Sequence, residues 1–262
     1  MPRFFAAPEG IDGDRITITG PDVNHIRNVL RMAPDDNITV SDGSGMDYYC
    51  RITEMSKEHV LLTVIDSWRA FAELPADIWL FQGVPKGDKM DLIIQKAVEL
   101  GAGRIVPVMM ERTIVRLDDK KKEKRQQRWQ SIAESAAKQA GRARIPVVTE
   151  VVDFDKAIKM CAGMDAILMP YEKAEGVEAA RARVRSLRGS KTIGVFIGPE
   201  GGFAPEEVDK AVLNGAFTMT LGHRILRTET AGMTMLSIIM FELEEDSNDG
   251  NISGQRSDDA RL

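Results

Sequence analysis

The chain of 262 residues is poor in the residues on which many familiar chemistries depend. Its two cysteines, Cys50 and Cys161, lie in different segments and form no C-x-x-C pair, which excludes a thiol redox motif and a cysteine zinc cluster and suits a reducing compartment. Its three histidines, His25, His59 and His223, have no carboxylate or cysteine at metal-ligand spacing, so no metal is expected. No run of about 18 apolar residues and no charged-then-apolar leader occurs, which points to a soluble, cytoplasmic protein with no membrane partner. Also missing are the G-x-x-x-x-G-K-[ST] phosphate loop, the G-x-G-x-x-G of dinucleotide-binding folds and the G-x-S-x-G of hydrolases. Asp42–Gly45 imitates an acidic glycine loop, but it sits between two β-like runs and reads as a hairpin turn.

The net charge of −5 is unevenly spread. From Glu242 onward seven acidic residues face two arginines, so the residues before them balance. Among those, Lys120 to Arg144 carries nine Lys or Arg against Glu123 and Glu134. A local field of that kind attracts a polyanion whatever the overall charge; a solvated helix face is the alternative.

Residues 1 to about 70 contain short β-runs at 15–19, 37–41, 48–53 and 60–65, with one helix starting near Pro21, the pattern of a small barrel or sandwich. Residues 71–76 read as a linker. From residue 77 near-continuous apolar runs (78–81, 104–110, 166–169, 192–197, 217–221) alternate with helical periods (88–100, 123–140, 153–162, 175–187, 205–214), which predicts an α/β domain with a parallel sheet. A last helix, from Thr228 to about Glu245, is apolar nearly all round and must be covered on more than one side, by its own domain or by a second subunit. Residues 246–262 read as a disordered acidic tail.

Two glycine-marked segments close apolar runs in the last quarter: Ile197, Gly198, Pro199, Glu200, Gly201 and Gly202, and then Leu221 to Ala231. In open α/β sheets such strand ends line the crevice where ligands bind, and glycine there admits close backbone approach. Arg224, Arg227, Thr228 and Glu229 set against Leu221, Ile225 and Leu226 have the composition of a small-molecule pocket. Plainer readings are a structural turn before Pro205 and an Arg227–Glu229 pair at a helix start, with Thr228 as its N-cap.

Gly198–Gly202 with Leu221–Ala231, preceded by Gln95–Gly101, Pro107–Arg112 and Ala136–Arg142, closely resembles the bacterial small-subunit (16S) ribosomal RNA uridine N3-methyltransferases of the SPOUT superfamily. Arg3–Phe5 and His25–Met32 resemble that family's amino-terminal RNA-binding, PUA-like β-barrel, and the likeness runs to about residue 243. The resemblance implies a SPOUT α/β domain over 77–245 with a trefoil knot at its carboxyl end, a homodimer that completes the site, and S-adenosylmethionine as cofactor, leaving S-adenosylhomocysteine. The cofactor walls it implies are Leu168, Met169 and Pro170; Ile197, Gly198, Pro199, Glu200, Gly201 and Gly202; and Leu221, Gly222, Ile225, Leu226, Arg227, Thr228 and Ala231. The implied partner is small-subunit ribosomal RNA, naked or in the assembled 30S subunit. It would be held by Arg3, Arg27 and Arg31 and by Lys121, Lys122, Arg125, Arg128 and Arg142.

Uracil N3 bears a proton and becomes nucleophilic as that proton leaves. A cation near O2 and O4 would stabilise the developing anion while a carboxylate takes the proton; Arg227 or Arg224 is assigned the first task and Glu229 or Glu200 the second. N3 lies on the pairing edge, so a paired uridine must first be extruded. Two rivals use the same residues. One is a non-catalytic RNA-binding ribosome-assembly factor of the same fold, against which the unbroken cofactor loops argue. The other is a phosphate-binding α/β enzyme, in which Glu200 would repel the anion.

Overall fold

The computed structural model describes residues 1–70, 72–115, 118–174 and 176–244; the expected acidic tail lies outside the described residues. The amino-terminal unit consists of β1 (Arg3–Phe5), β2 (Ile11–Asp12), β3 (Arg15–Thr19), α1 (Pro21–Asn24), β4 (Asn37–Ser41), β5 (Met46–Met55) and β6 (His59–Arg69). The strands form one six-stranded sheet in the order β1-β4-β5-β6-β3-β2, antiparallel except at the β1–β4 edge. Alternation turns Ile16, Ile18, Ile38, Val40, Ile52 and Leu62 to one face, where they close on Phe4 and Ile26 in a core of their own. Bulges between Tyr49 and Cys50 and between Ile52 and Glu54 bend the long β5–β6 pair, which outruns the apolar segments seen in the sequence. Asp42–Gly45 is the expected turn: Asp42 Oδ1 accepts the backbone N–H of Ser44, Gly45 and Met46. β1 and β2 are too short to show alternation, which hid them from the sequence.

The second unit runs β7 (Asp77–Gly83), α2 (Lys89–Glu99), β8 (Arg104–Met109), α3 (Asp119–Gln139), β9 (Val147–Val148), β10 (Val152–Asp153), α4 (Phe154–Met160), β11 (Ala166–Pro170), α5 (Val177–Arg185), β12 (Thr192–Ile197), α6 (Pro205–Leu213), β13 (Phe217–Met219) and α7 (Thr228–Leu243). Its strands pair in the order β10-β8-β7-β12-β11-β13, with β9 also on β8, and every pairing is parallel, as the continuous apolar runs predict. Ile78 and Leu80 of β7 face a layer containing α2, α3, α5 and α7. Phe81 faces the opposite layer of α4 and α6 and stacks on Phe196, with ring centres 4.4 Å apart. Burial pushes the thiols of Cys50 and Cys161 up to about 12 and about 11, so both are inert packing groups.

Helix α7 meets half of its expectation. Met235, Leu236, Ile239 and Leu243 are buried against the sheet, but Ile238 is 38% and Phe241 84% exposed.

The two units meet along α3. Phe5 of β1 packs against the core of the second sheet. Lys138 Nζ donates to both Asp22 carboxylate oxygens at 2.8 Å, and Arg144 Nε donates to the Ser44 carbonyl at 3.2 Å. Glu73, in the connecting segment, accepts from Arg142 Nη2 at 2.6 Å and from the backbone N–H of Ala143 and Arg144, both at 3.1 Å. Arg142 is only 4% exposed and also donates to the Val98 carbonyl. Its expected place among the RNA contacts is therefore corrected: it is a buried structural cation in the joint between the units.

Removing one partner of a buried pair leaves the other charge stranded, at a cost of about 3–5 kcal/mol. Glu73→Ala is therefore expected to lower unfolding stability by roughly that amount in urea titration, and an unchanged midpoint would contradict the assignment.

Candidate active site

The loops that follow β11, β12 and β13 converge on one cavity of about 900 Å³ at the carboxyl ends of the strands. Small-molecule sites of about 300–1,000 Å³ are common at this edge of α/β sheets. Pro170, Tyr171, Glu172, Gly176 and Val177 line it from the first loop, Ile197 to Phe203 from the second and Thr220 to Thr228 from the third, with Lys89 and Ala231 completing the wall. Leu168 and Met169 correct the expected first wall. Both are fully buried, one in each layer of the core, and only Pro170 at the end of β11 reaches the cavity. Tyr171, Glu172, Gly176, Val177 and Thr220 escaped the sequence reading because no glycine pair marks the first loop, and the patterns that cover Val177 and Thr220 signal a helix and a strand rather than a site.

The glycines of the second loop answer to loop packing. A Cβ on Gly201 would lie 3.0 Å from Arg112 Cβ, one on Gly198 3.1 Å from the Gly202 carbonyl carbon, and one on Gly83 2.6 Å from Pro199 N. Gly202 adds a left-handed turn at φ +67. Close packing of the loop on its neighbours thus constrains these glycines as well, in addition to the close approach to a ligand expected of them. Arg112 Nη1 donates to the Gly201 carbonyl at 3.1 Å. Glu207 accepts from the Glu111 and Ala204 N–H groups, each at 2.9 Å, clamping the Arg112 segment to the same loop.

Thr228 is the tie between the walls. The N-cap of α7 is Arg227, and no side chain caps the helix, so Thr228 does not have the capping role expected of it. Its hydroxyl donates to the Gly198 carbonyl at 2.6 Å and accepts from Gln82 Nε2 at 2.8 Å. Both side chains are buried. A hydroxyl can donate and accept at once, so one atom fastens β7, the second loop and the start of α7. Gln82 was invisible beforehand as a lone polar residue ending an apolar run.

The Arg227–Glu229 pair of the plainer reading is not formed. Glu229 Oε2 lies 3.7 Å from Lys89 Nζ, and Glu229 is not among the cavity-lining residues. Lys89 Nζ in turn donates to Glu200 Oε1 at 2.9 Å, and the Lys86 N–H donates to the same oxygen at 3.1 Å. Burial opposes the charge of Glu200, but the bonds from Lys89 and from backbone N–H groups outweigh it and hold the carboxyl below its ordinary range. The Glu200 hydrogen bond raises Lys89 in the same way. Glu200 thus adds stability above the ordinary carboxylate range and loses it as acid carries pH through its lowered value. Lys89 adds stability below its ordinary value and loses it as pH rises through the raised one. The bridge therefore stands throughout the neutral range. Lys89 was missed, although Lys86-Gly87-Asp88-Lys89 after β7 is also a strand-end loop. Arg224 and Arg227 stand exposed on the cavity wall with no carboxylate partner among the described residues.

Of the expected RNA contacts, Lys121 and Arg128 on α3 are 68% and 62% exposed while paired with Asp118 and Asp91. Lys122 and Arg125 lie beside them, partly exposed, and Arg27 and Arg31 sit on the turn after α1. Arg3 is corrected: its Nη1 donates to Ser41 Oγ at 2.9 Å and to Asp47 Oδ1 at 2.5 Å, and the burial of Asp47 accounts for the pairing.

Thr228→Val keeps the shape but strands the Gly198 carbonyl and one N–H of Gln82 Nε2, whose other N–H stays on the Gly83 carbonyl. It should cost about 1–3 kcal/mol in urea unfolding while Thr228→Ser costs little; equal effects of the two would remove the tie.

Residues 72–240 match the RNA methyltransferase domain, and residues 18–65 match the RNA methyltransferase PUA domain. Over 231 residues the chain is 38% identical to ribosomal RNA small subunit methyltransferase E of Bacillus subtilis (strain 168), spanning 87% of this chain and 90% of that protein. A relative of the same name from Synechocystis is 29% identical over 92% of this chain and 78% of its own length. Among solved structures, a ribosomal RNA small subunit methyltransferase E from Neisseria gonorrhoeae, bound to S-adenosyl methionine, superimposes with a TM-score of 0.78. It is 34% identical, covering 92% of this chain and 97% of that one. No helix among the described residues is long and apolar enough to cross a membrane. With a methyltransferase match across most of the chain and a relative this similar over nearly all of it, the chain belongs to the ribosomal RNA small subunit methyltransferase E family, RNA methyltransferases that carry a PUA domain at the amino end.

Proposed function

We propose that the chain transfers a methyl group from S-adenosylmethionine to N3 of one uridine in small-subunit ribosomal RNA. The observation that carries this reading is the three-loop cavity at the strand ends. Its residues fit the cofactor: Ile197, Leu221, Leu226 and Val177 offer apolar surface to an adenine ring. The Glu172 carboxylate offers acceptors to a cationic, hydroxyl-bearing ligand. In this reading residues 1–70 curl into a PUA-like RNA-binding barrel, and 77–245 form a SPOUT domain whose carboxyl end is drawn through a trefoil knot. Residues 246–262 are an acidic tail. A second copy covers Phe241 and Ile238 and completes the site as a homodimer. The RNA, naked or within the 30S subunit, lies across Arg27, Arg31 and the basic half of α3, in the cytoplasm.

When bound, S-adenosylmethionine supplies an electrophilic methyl whose departure leaves a neutral thioether. The chain's own residues deal with the nucleophile. Arg227, free on the wall, stabilises the charge that spreads into O2 and O4 as N3 loses its proton, with Arg224 beside it. Glu200 is a poor proton acceptor because Lys89 holds it ionised. Glu229, off the cavity wall with Oε2 buried, without a hydrogen-bond partner and 3.7 Å from Lys89 Nζ, is the other carboxylate assigned to take the proton.

Calorimetric titration with S-adenosylhomocysteine tests the cofactor assignment directly. Saturable binding is expected, and its absence in folded protein would return the chain to the assembly-factor reading.

Changing Lys121, Lys122, Arg125 and Arg128 together to Gln should weaken RNA binding and flatten its salt dependence, by about one unit of log–log slope for each phosphate no longer neutralised. Cofactor affinity should stay as it is. An unchanged slope would make this face of α3 merely solvated.

Arg227→Ala should leave both ligands bound and lower turnover by about a hundredfold or more. Raising pH should recover part of the loss, because solvent then removes the N3 proton in advance. Single-turnover rates at saturating cofactor across mildly acidic to mildly alkaline pH check this, and a pH-independent defect would reject the catalytic role.

A further inference from the structure

We propose that Asp22 and Lys138 are positioning residues whose ion pair fixes the amino-terminal unit on α3, so that Arg27, Arg31 and the basic half of α3 meet RNA as one rigid surface. The inference rests on the RNA-methyltransferase reading above and concerns how the substrate is held.

Asp22 lies in α1, immediately before the turn that carries Arg27, and Lys138 lies in the last turn of α3. Lys138 Nζ reaches both carboxylate oxygens at 2.8 Å. The two side chains are 30% and 18% exposed, so bulk salt screens the pair less than it would a surface pair. At the rise of an α-helix, Lys138 stands about 25 Å along α3 from Lys121, where the basic half begins. Helix α3 is therefore a spacer that sets the distance between the two cationic patches. Three further contacts keep the amino-terminal unit from rocking about the Asp22 point: Phe5 in the second core, Arg144 on the Ser44 carbonyl, and Glu73 on Arg142.

Each patch alone can reach few phosphates. Joined rigidly, the second patch engages at a high effective concentration once the first is bound, and loosening the joint lowers that concentration while both patches keep their own charges. The expected loss falls on the Michaelis constant for RNA, because the cavity and its three loops lie outside the joint.

Asp22→Lys separates this account from simple charge effects, since the two have opposite signs. An added lysine beside Arg27 should tighten RNA binding if only charge matters. If the joint positions the patches, it should raise KM for ribosomal RNA about tenfold, a coupling in the ordinary range for a paired contact. In the same variant kcat and S-adenosylhomocysteine affinity should remain within about twofold of the wild type. The reciprocal variant Asp22→Lys/Lys138→Asp should bring KM back to within about twofold. Asp22→Asn serves if the lysine variant does not fold, with a smaller rise expected. A lowered or unchanged KM in Asp22→Lys, or in Asp22→Asn where that variant serves, overturns the proposal, as does failure of the swap to restore it. The Lys121, Lys122, Arg125 and Arg128 to Gln variant, run in parallel, keeps the two failures apart. If it raises KM while Asp22→Lys does not, the joint is wrong and the RNA surface stands; if neither raises KM, the RNA surface itself is wrong.

Discussion

The hydroxyl of Thr228 is the constraint on which the site depends. It joins a carbonyl of the Gly198 loop to the amide of Gln82 at the end of β7, and Thr228 is itself the first residue of α7. Three segments far apart in sequence are thus held by one atom in a place where water does not compete. Beside that closure Gly83 packs on Pro199, while Arg112 and Glu207 hold the Gly201 side of the same loop. Lys89 then spans from α2 to Glu200 and toward Glu229. The cavity wall is thus cross-linked on the α2 side, while Arg224 and Arg227 have no carboxylate partner among the described residues on the other.

Charged residues in this protein divide by burial rather than by position in the sequence. Arg3 and Arg142 sit within stretches that resemble the RNA-facing parts of a known family, yet each is bound to a buried or half-buried carboxylate, Asp47 and Glu73. Pairing with such a partner turns the cation toward the fold and neutralises its charge, so neither is a primary phosphate contact. Lys121 and Arg128 also have partners, Asp118 and Asp91, but they remain largely exposed, and exposed pairs exchange at little cost.

Much of the fold was legible because it rests on period. The parallel sheet, its helices and the two glycine-marked loops are all marked by apolar runs and their punctuation, and the strand-end rule located the cavity. The unread parts lack period. β1, β2, β9 and β10 have two or three residues each, and Gln82 is a single polar side chain whose partner is 146 positions away. Leu168 and Met169 were misplaced because a strand-end wall is built by the loop beyond the strand, not by the strand's buried body. Lys89 and Glu172 carry no signature that separates them from ordinary surface charges. Long-range pairing decides their role, and one sequence does not display it.

Methyl transfer to uridine N3 within the three-loop cavity is tested most directly by incubating the protein with unmodified small-subunit ribosomal RNA and methyl-deuterated S-adenosylmethionine, then digesting the RNA to nucleosides for mass spectrometry. Deuterated 3-methyluridine is the labelled nucleoside expected. Label on any other nucleoside, or none with folded, cofactor-bound protein on both naked RNA and assembled subunits, would contradict it.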